Sequence, residues 1–136
     1  MKRILVLCTG NSARSQMAHG YLQHFAGKRA AVFSAGVHPH GVNPLAVQVM
    51  AEDGVSIAHH TSNHVDDYVD QPFDYVITVC DNAREHCPYF PSAGQPIHHT
   101  FTDPSNAPVT ERLTQFRAVR DQIRQFCRAF IEQQIA

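Results

Sequence analysis

The hydrophobic positions of the chain form short unbroken runs that alternate with longer stretches of helical period. The unbroken run from Arg3 to Leu7 predicts a strand that is buried on both faces of a parallel sheet. Apolar residues at spacings of three and four after Arg14 predict a helix that ends before Gly27. The next apolar run, from Ala31 to Ala35, predicts a second strand, which Gly36 closes.

The same alternation continues through the rest of the chain. Pro44 predicts the start of a helix that ends at Gly54, and Thr61 and Ser62 predict the cap of a short helix toward Val69. The remaining predicted elements are a strand from Phe73 to Val79, a weak strand near Ile97 and a long amphipathic helix from Leu113 to Phe130. Strands that alternate with helices predict one α/β domain over residues 1–136, doubly wound around a central, roughly four-stranded parallel sheet.

Composition and charge exclude several classes of function. The 136 residues carry 11 Lys and Arg against 12 Asp and Glu, so no basic excess favours nucleic acid or an acidic membrane as a partner. The apolar run from Ile4 to Leu7 is far shorter than the roughly 18 residues of a membrane span. We therefore expect a cytoplasmic protein, in which the four cysteines are reduced thiols available for chemistry.

A loop that can bind an anion joins the first predicted strand to the first predicted helix. Its sequence is Cys8-Thr9-Gly10-Asn11-Ser12-Ala13-Arg14-Ser15. In this position the backbone N–H groups of Thr9, Gly10, Asn11, Ser12 and Ala13 can converge on a tetrahedral oxyanion, whose oxygens the planar guanidinium of Arg14 can also hold. Gly10 and Asn11 are the residue types that tolerate the positive φ of such a loop.

Cys8, at the start of this loop, is the predicted nucleophile. The converging N–H groups and the helix dipole favour its thiolate, and the hydroxyls of Ser12 and Ser15 are placed to donate to the sulfur. The alternative is a structural cysteine that is simply buried at a strand end. The spacing between Cys8 and Arg14 is by itself weak evidence for a nucleophile. It becomes informative because the loop that contains both residues lies between a predicted strand and a predicted helix.

The segment from Cys8 to Ala18 resembles the active-site loop of low-molecular-weight tyrosine phosphatases and of the arsenate reductases that share their fold. The resemblance is closer to the thioredoxin-coupled arsenate reductases, because the phosphatases usually carry Pro where this chain has Gln16. Further similar segments are Ser34-Ala35-Gly36, Gly41-Val42-Asn43-Pro44, His60-Thr61-Ser62 and Cys80 to Pro88. The resemblance therefore covers nearly the whole chain and implies a phosphatase-like fold.

The resemblance also implies roles for residues outside the loop. Asp103, followed by Pro104, corresponds to the general acid, although an Asp-Pro pair is also common as a plain turn. Cys80 and Cys87 correspond to a redox pair that resolves the adduct on Cys8 and ends as a disulfide. The alternatives are two incidental thiols or half of a metal site, but their separation lacks the short spacing of zinc ligands, and we predict no metal.

The implied activity is the reduction of arsenate to arsenite, as in arsenic resistance. Electrons would come from thioredoxin or glutaredoxin, not from a bound cofactor, and the enzyme would act as a monomer. The alternatives are a phosphatase that works through a Cys8 phosphoenzyme and a binding or thiol-sensing module without turnover. Where potassium-binding members carry acidic residues this chain has His19 and Asn63, which argues against a bound cation. Most histidines are expected on the solvated surface, and Cys127 in the core.

Overall fold

The strands of this computed structural model, which describes residues 1–80, 90 and 94–135, form one parallel sheet. Within the described residues they lie in the order β2-β1-β3-β4. Their bounds are β1 (Lys2–Cys8), β2 (Ala30–Gly36), β3 (Tyr75–Thr78) and β4 (Gln95–His98). The predicted four-stranded parallel sheet is confirmed, and β3 is shorter than the apolar run from Phe73 to Val79.

Three α-helices of the described chain connect and cover this sheet, namely α1 (Arg14–Ala26), α2 (Pro44–Glu52) and α3 (Arg112–Gln134). Local chemistry explains where α2 starts, because the Asn43 side chain accepts a hydrogen bond from the Leu45 N–H at 2.8 Å. Gly27 follows α1 with a φ of 58°, which glycine adopts at little cost. The predicted starts of α1 and α2 are confirmed.

The short helix predicted from Thr61 and Ser62 is instead a 3₁₀ helix (Val65–Tyr68), which begins later. His64 caps it, since its side chain accepts a hydrogen bond from the Asp66 N–H at 3.0 Å. The cap predicted at Thr61 and Ser62 is therefore wrong. The Ser62 hydroxyl donates instead to the backbone carbonyls of Gly10 and Asn11, which belong to a loop distant in sequence.

Strand β1 is buried on both faces, as predicted from its unbroken apolar run. One face packs on the α-helices through Ile4 and Val6, and the other, through Leu5 and Leu7, contacts a smaller cluster around the 3₁₀ helix. Cys127 of α3 lies in the larger core, where burial raises the pKa of its thiol well above the usual range. It is therefore an unreactive core residue, as predicted.

The strand order creates a crevice at the carboxyl ends of β1 and β3. The chain leaves β1 for one neighbour, β2, and later returns to the other side as β3, so the carboxyl ends of β1 and β3 flank a topological switch point. Cys8 ends β1, Cys80 lies two residues beyond β3, and Asp103 follows β4. In the described part of the chain, no helix is both long enough and apolar enough to cross a membrane.

Candidate active site

The loop after β1 is held by hydrogen bonds to its outward-facing carbonyl oxygens. The donors are backbone N–H groups of the segment 38–43: His38 donates to Thr9 at 2.9 Å, His40 to Gly10 at 3.0 Å and Asn43 to Ser12 at 3.0 Å. In a trans peptide the carbonyl and the following N–H point in opposite directions. With their carbonyls directed outward, these peptides turn N–H groups, such as that of Ala13, toward the centre of the loop.

Asn11 fixes the curvature of this loop. Its φ of 46° confirms the positive value predicted for it, and asparagine tolerates this conformation better than most residues. The side-chain Oδ1 accepts a hydrogen bond from the Asn63 N–H at 2.8 Å, and Nδ2 donates to the Ser15 hydroxyl at 2.9 Å. Asn11 is fully buried, so its side chain braces the loop from behind.

Gly10 does not have the positive φ predicted for it; in the described chain the glycines with positive φ are Gly27, Gly41 and Gly54. That prediction is wrong, because within the loop Asn11 supplies the positive φ. A Cβ on Gly10 would lie 2.6 Å from Cδ2 of His40. The exposed His40 ring can turn away from such an atom, whereas at Gly36 a Cβ would lie 2.5 Å from the backbone carbonyl oxygen of Thr9. The steric requirement for glycine is therefore at Gly36.

The loop encloses one side of a cavity of about 510 Å³. Cys8 lines the cavity as a free thiol and is 3% exposed. The other lining residues are Thr9, Gly10, Ser12, Ala13, Arg14, His40, Thr102, Asp103, Ser105 and Asn106. The structure thus brings together the predicted nucleophile, most of the predicted oxyanion loop and the predicted acid, while Asn11 and Ser15 support them from behind.

Arg14 and Asp103 form an ion pair in the wall of this cavity. Arg14 is 4% exposed, and its Nη1 donates to the carbonyl oxygen of Phe101 at 3.2 Å. Its Nη2 lies 3.6 Å from Oδ2 of Asp103, whose side chain is 25% exposed. The guanidinium is therefore oriented by backbone on one side and balanced by a carboxylate on the other, which suits a site that exchanges that carboxylate for a bound oxyanion.

Ser15 is fully buried beneath the loop. Its hydroxyl oxygen accepts the hydrogen bond from Asn11, which leaves the hydroxyl hydrogen available for an acceptor. This arrangement is compatible with the predicted donation to the Cys8 sulfur, which stays a prediction.

Of the predicted redox pair, only Cys80 falls within the described residues. It is fully buried and disulfide-bonded, whereas Cys8 and Cys127 are outside any disulfide. The expectation that all four cysteines are reduced is therefore wrong for Cys80. Cys87 lies outside the described residues, so the predicted relay between Cys80 and Cys87 stays a prediction.

Two histidines near the loop were not expected to be part of its support. The rings of His19 and His60 stack with their centroids 4.2 Å apart. His60 Nδ1 lies 3.0 Å from Oε1 of Gln16, and Nε2 of Gln16 donates to the Asn11 carbonyl at 3.1 Å. His19 Nδ1 lies 2.9 Å from the Ser34 hydroxyl. The only sequence signal was the position of His19 between buried residues of α1.

This pair makes stability depend on pH. Burial, aided by the neighbouring His60, lowers the pKa of His19 to about 3, and burial lowers that of His60 to about 4. The unfolded chain takes up these protons near pH 6.5, whereas the folded chain resists them, so the free energy of unfolding falls as the pH drops below that value. For His19 alone we expect a loss of about 2 kcal/mol by pH 5.

Thermal unfolding at pH 7 and pH 5 tests this expectation. His19→Gln should reduce the difference between the two melting temperatures, while His24→Gln, which changes an exposed histidine of the same helix, should leave it as in the parent protein. An equal pH dependence in the parent and in His19→Gln would contradict the assignment.

The chain is similar to known proteins along nearly its whole length. Residues 3–136 match the sequence model of the low molecular weight phosphotyrosine protein phosphatase family. An arsenate reductase of Halalkalibacterium halodurans is 44% identical over 133 residues, which cover 96% of each chain.

Solved structures show the same similarity. One described as an arsenate reductase in the phosphate binding state superposes with a TM-score of 0.84, at 29% identity and with full coverage of both chains. A thioredoxin-dependent arsenate reductase of Corynebacterium glutamicum superposes with a TM-score of 0.70 at 27% identity, covering 98% of this chain and 64% of that one.

Proposed function

Because the chain belongs to the low molecular weight phosphotyrosine protein phosphatase family, we propose that it is an arsenate reductase, which converts arsenate to arsenite with electrons from a thiol protein. One observation carries the proposal: Cys8, Arg14 and Asp103 line a single cavity in a chain that is 44% identical to an arsenate reductase. The order of the chemical steps follows from the groups that line this cavity.

Arsenate binds first, because the loop N–H groups and the guanidinium of Arg14 complement a tetrahedral oxyanion. The Cys8 thiolate then attacks arsenic, and one arsenic–oxygen bond breaks. Asp103 gives its proton to the departing oxygen, which leaves as water. The product is a covalent adduct in which arsenic is still pentavalent and is bonded to the Cys8 sulfur.

The reduction takes place when a second thiol attacks that sulfur. The Cys80 thiolate forms a disulfide with Cys8, the sulfur–arsenic bond breaks, and its electron pair stays on arsenic, which leaves as trivalent arsenite. Cys87 then attacks Cys80, which frees Cys8 and transfers the disulfide to Cys80 and Cys87. The disulfide-bonded state of Cys80 supports a redox role for this thiol.

An external dithiol must then reduce the final disulfide by two electrons per arsenate. We propose thioredoxin as this partner, because a structurally similar arsenate reductase is described as thioredoxin-dependent; glutaredoxin is the alternative. We propose a cytoplasmic location, where thiols are kept reduced. We also propose a monomer, since Cys8, Arg14 and Asp103 line one cavity of a single chain. No bound cofactor is needed in this scheme.

The same cavity also fits a phosphate monoester, and the family model is that of a phosphatase. With such a substrate Cys8 would form a phosphoenzyme, Asp103 would protonate the leaving alcohol, and water would hydrolyse the intermediate. We propose this hydrolysis as a secondary activity, because it uses Cys8, Arg14 and Asp103. Cys80 and Cys87 would have no role in it.

Replacing Asp103 by Asn should slow both reactions by about 10²–10⁴-fold, the usual contribution of a positioned general acid. Phosphate binding should remain nearly intact, since the change removes a negative charge from an anion site. Single-turnover formation of arsenite and calorimetric titration with phosphate measure the two effects. An unchanged rate would make Asp103 an ordinary turn residue.

A further inference from the structure

The two carboxylate oxygens of Asp103 have different surroundings. Oδ1 accepts two hydrogen bonds from Ser105, one from the backbone N–H at 3.0 Å and one from the hydroxyl at 2.6 Å. Oδ2 lies on the side of Arg14, 3.6 Å from Nη2. Asp103 and Ser105 both line the cavity that contains Cys8.

We propose that Ser105 is a positioning residue that assigns different roles to these two oxygens. It holds Oδ1 as a hydrogen-bond acceptor, and the proton that Asp103 delivers to the leaving oxygen is therefore carried on Oδ2. This inference rests on the proposed role of Asp103 as the general acid and adds to it which oxygen reacts and what selects that oxygen.

Oδ1 already accepts two hydrogen bonds, both from Ser105. A carboxyl oxygen has two lone-pair positions in its plane, and the two donors of Ser105 occupy them. A proton on Oδ1 would have to displace one of these bonds. Oδ2 instead faces the Arg14 guanidinium, and it becomes available for the proton when a bound oxyanion takes over that cation. The distance of 2.6 Å from the Ser105 hydroxyl lies in the range of a charge-assisted bond, which stabilises the carboxylate left after proton transfer.

The turn that holds Asp103 is rigid. Asp103 caps a 3₁₀ helix (Pro104–Asn106), and the ring of Pro104 fixes φ directly after the acid. Any residue at position 105 would supply the backbone N–H of this cap, but only a hydroxyl side chain adds the second bond. Ser105 therefore prevents the carboxyl group from rotating about its last torsion and exchanging its two oxygens.

The experiment compares aryl phosphates whose leaving groups differ in their need for a proton. For Ser105→Ala, we expect kcat/KM to fall by about 5–10-fold for phenyl phosphate, the equivalent of one lost hydrogen bond. For 2,4-dinitrophenyl phosphate, whose leaving group departs without protonation, kcat/KM should change by less than about twofold. Thr110→Ala removes an exposed hydroxyl outside the cavity and serves as the matched control.

Two outcomes would overturn the proposal: an equal loss for both substrates, which would indicate general damage to the site, or no loss for either. Asp103→Asn separates this inference from the proposed function. If Asp103→Asn itself shows no dependence on the leaving group, the general-acid role fails; if it shows one and Ser105→Ala does not, only the role of Ser105 fails.

A second pair of variants tests the hydroxyl in arsenate reduction itself. Ser105→Thr and Ser105→Val have side chains of the same shape, and only the first carries a hydroxyl. We expect the Thr variant to form arsenite in a single turnover about 5–10-fold faster than the Val variant. Equal rates in the two variants would overturn the proposal.

Discussion

Replacing Cys8 by Ser is expected to abolish both arsenate reduction and the hydrolysis of aryl phosphates, each by about a thousandfold or more. Both reactions begin with attack by the same sulfur, and at neutral pH a serine hydroxyl offers far less of the anionic nucleophile than a thiol does. Because the side chain keeps its size in a site that is 3% exposed, the fold should be retained. Rates of arsenite formation and of aryl-phosphate hydrolysis measure the effect.

Cys127→Ala is the matched control for this variant. Cys127 is also a buried free thiol, but it packs between α1 and α3 and does not line the cavity. Its replacement should lower the melting temperature and leave both activities in place. If Cys8→Ser kept more than a few per cent of either rate, the nucleophile would have been misassigned.

Cys80→Ser and Cys87→Ser are each expected to stop multiple turnover of arsenate and to leave the hydrolysis of aryl phosphates unchanged. Hydrolysis needs only the residues of the cavity, whereas reduction needs a thiol to resolve the adduct and another to clear the resulting disulfide. The two variants should also differ from each other. Cys87→Ser should release about one arsenite per enzyme and stop as a Cys8–Cys80 disulfide, while Cys80→Ser should release essentially none.

Quenched reactions analysed for arsenite, together with mass measurement of the trapped disulfide, test these expectations. The thiol protein must be the only reductant present, because a small thiol could replace the missing cysteine. Full arsenate turnover in both variants would contradict the relay and would favour the phosphatase as the main activity.

The parts of this site that sequence could predict are those that depend on local chemistry. The apolar run of β1 requires burial on both faces, and Gly27 ends α1 because the chain needs a positive φ there. The anion-binding loop after β1 could be predicted in the same way, because a loop between a buried strand and a helix N-terminus turns N–H groups toward one point. The positions of Cys8 and Arg14 could therefore be predicted without knowledge of any distant residue.

The parts that sequence could not predict depend on residues far apart in the chain. The residue type of Gly10 predicts a positive φ, but Asn11 adopts it instead. The position that requires glycine is Gly36, where a Cβ would meet the backbone of Thr9, which is distant in sequence. The sequence predicts a helix cap at Ser62, but its hydroxyl donates to the loop carbonyls instead. The stacked rings of His19 and His60 likewise meet only in the folded chain, where both side chains become partly buried.

The most direct test of the account is the stoichiometry of a coupled reaction with arsenate, thioredoxin, thioredoxin reductase and NADPH. We predict that each NADPH consumed yields one arsenite, since one disulfide is reduced for each arsenic atom that gains two electrons. We also predict that leaving out thioredoxin stops the reaction after about one turnover. The preparation must first be shown to hydrolyse aryl phosphates, so that the site is known to be intact. If arsenate then does not increase NADPH consumption, the result contradicts the claim that the protein is an arsenate reductase.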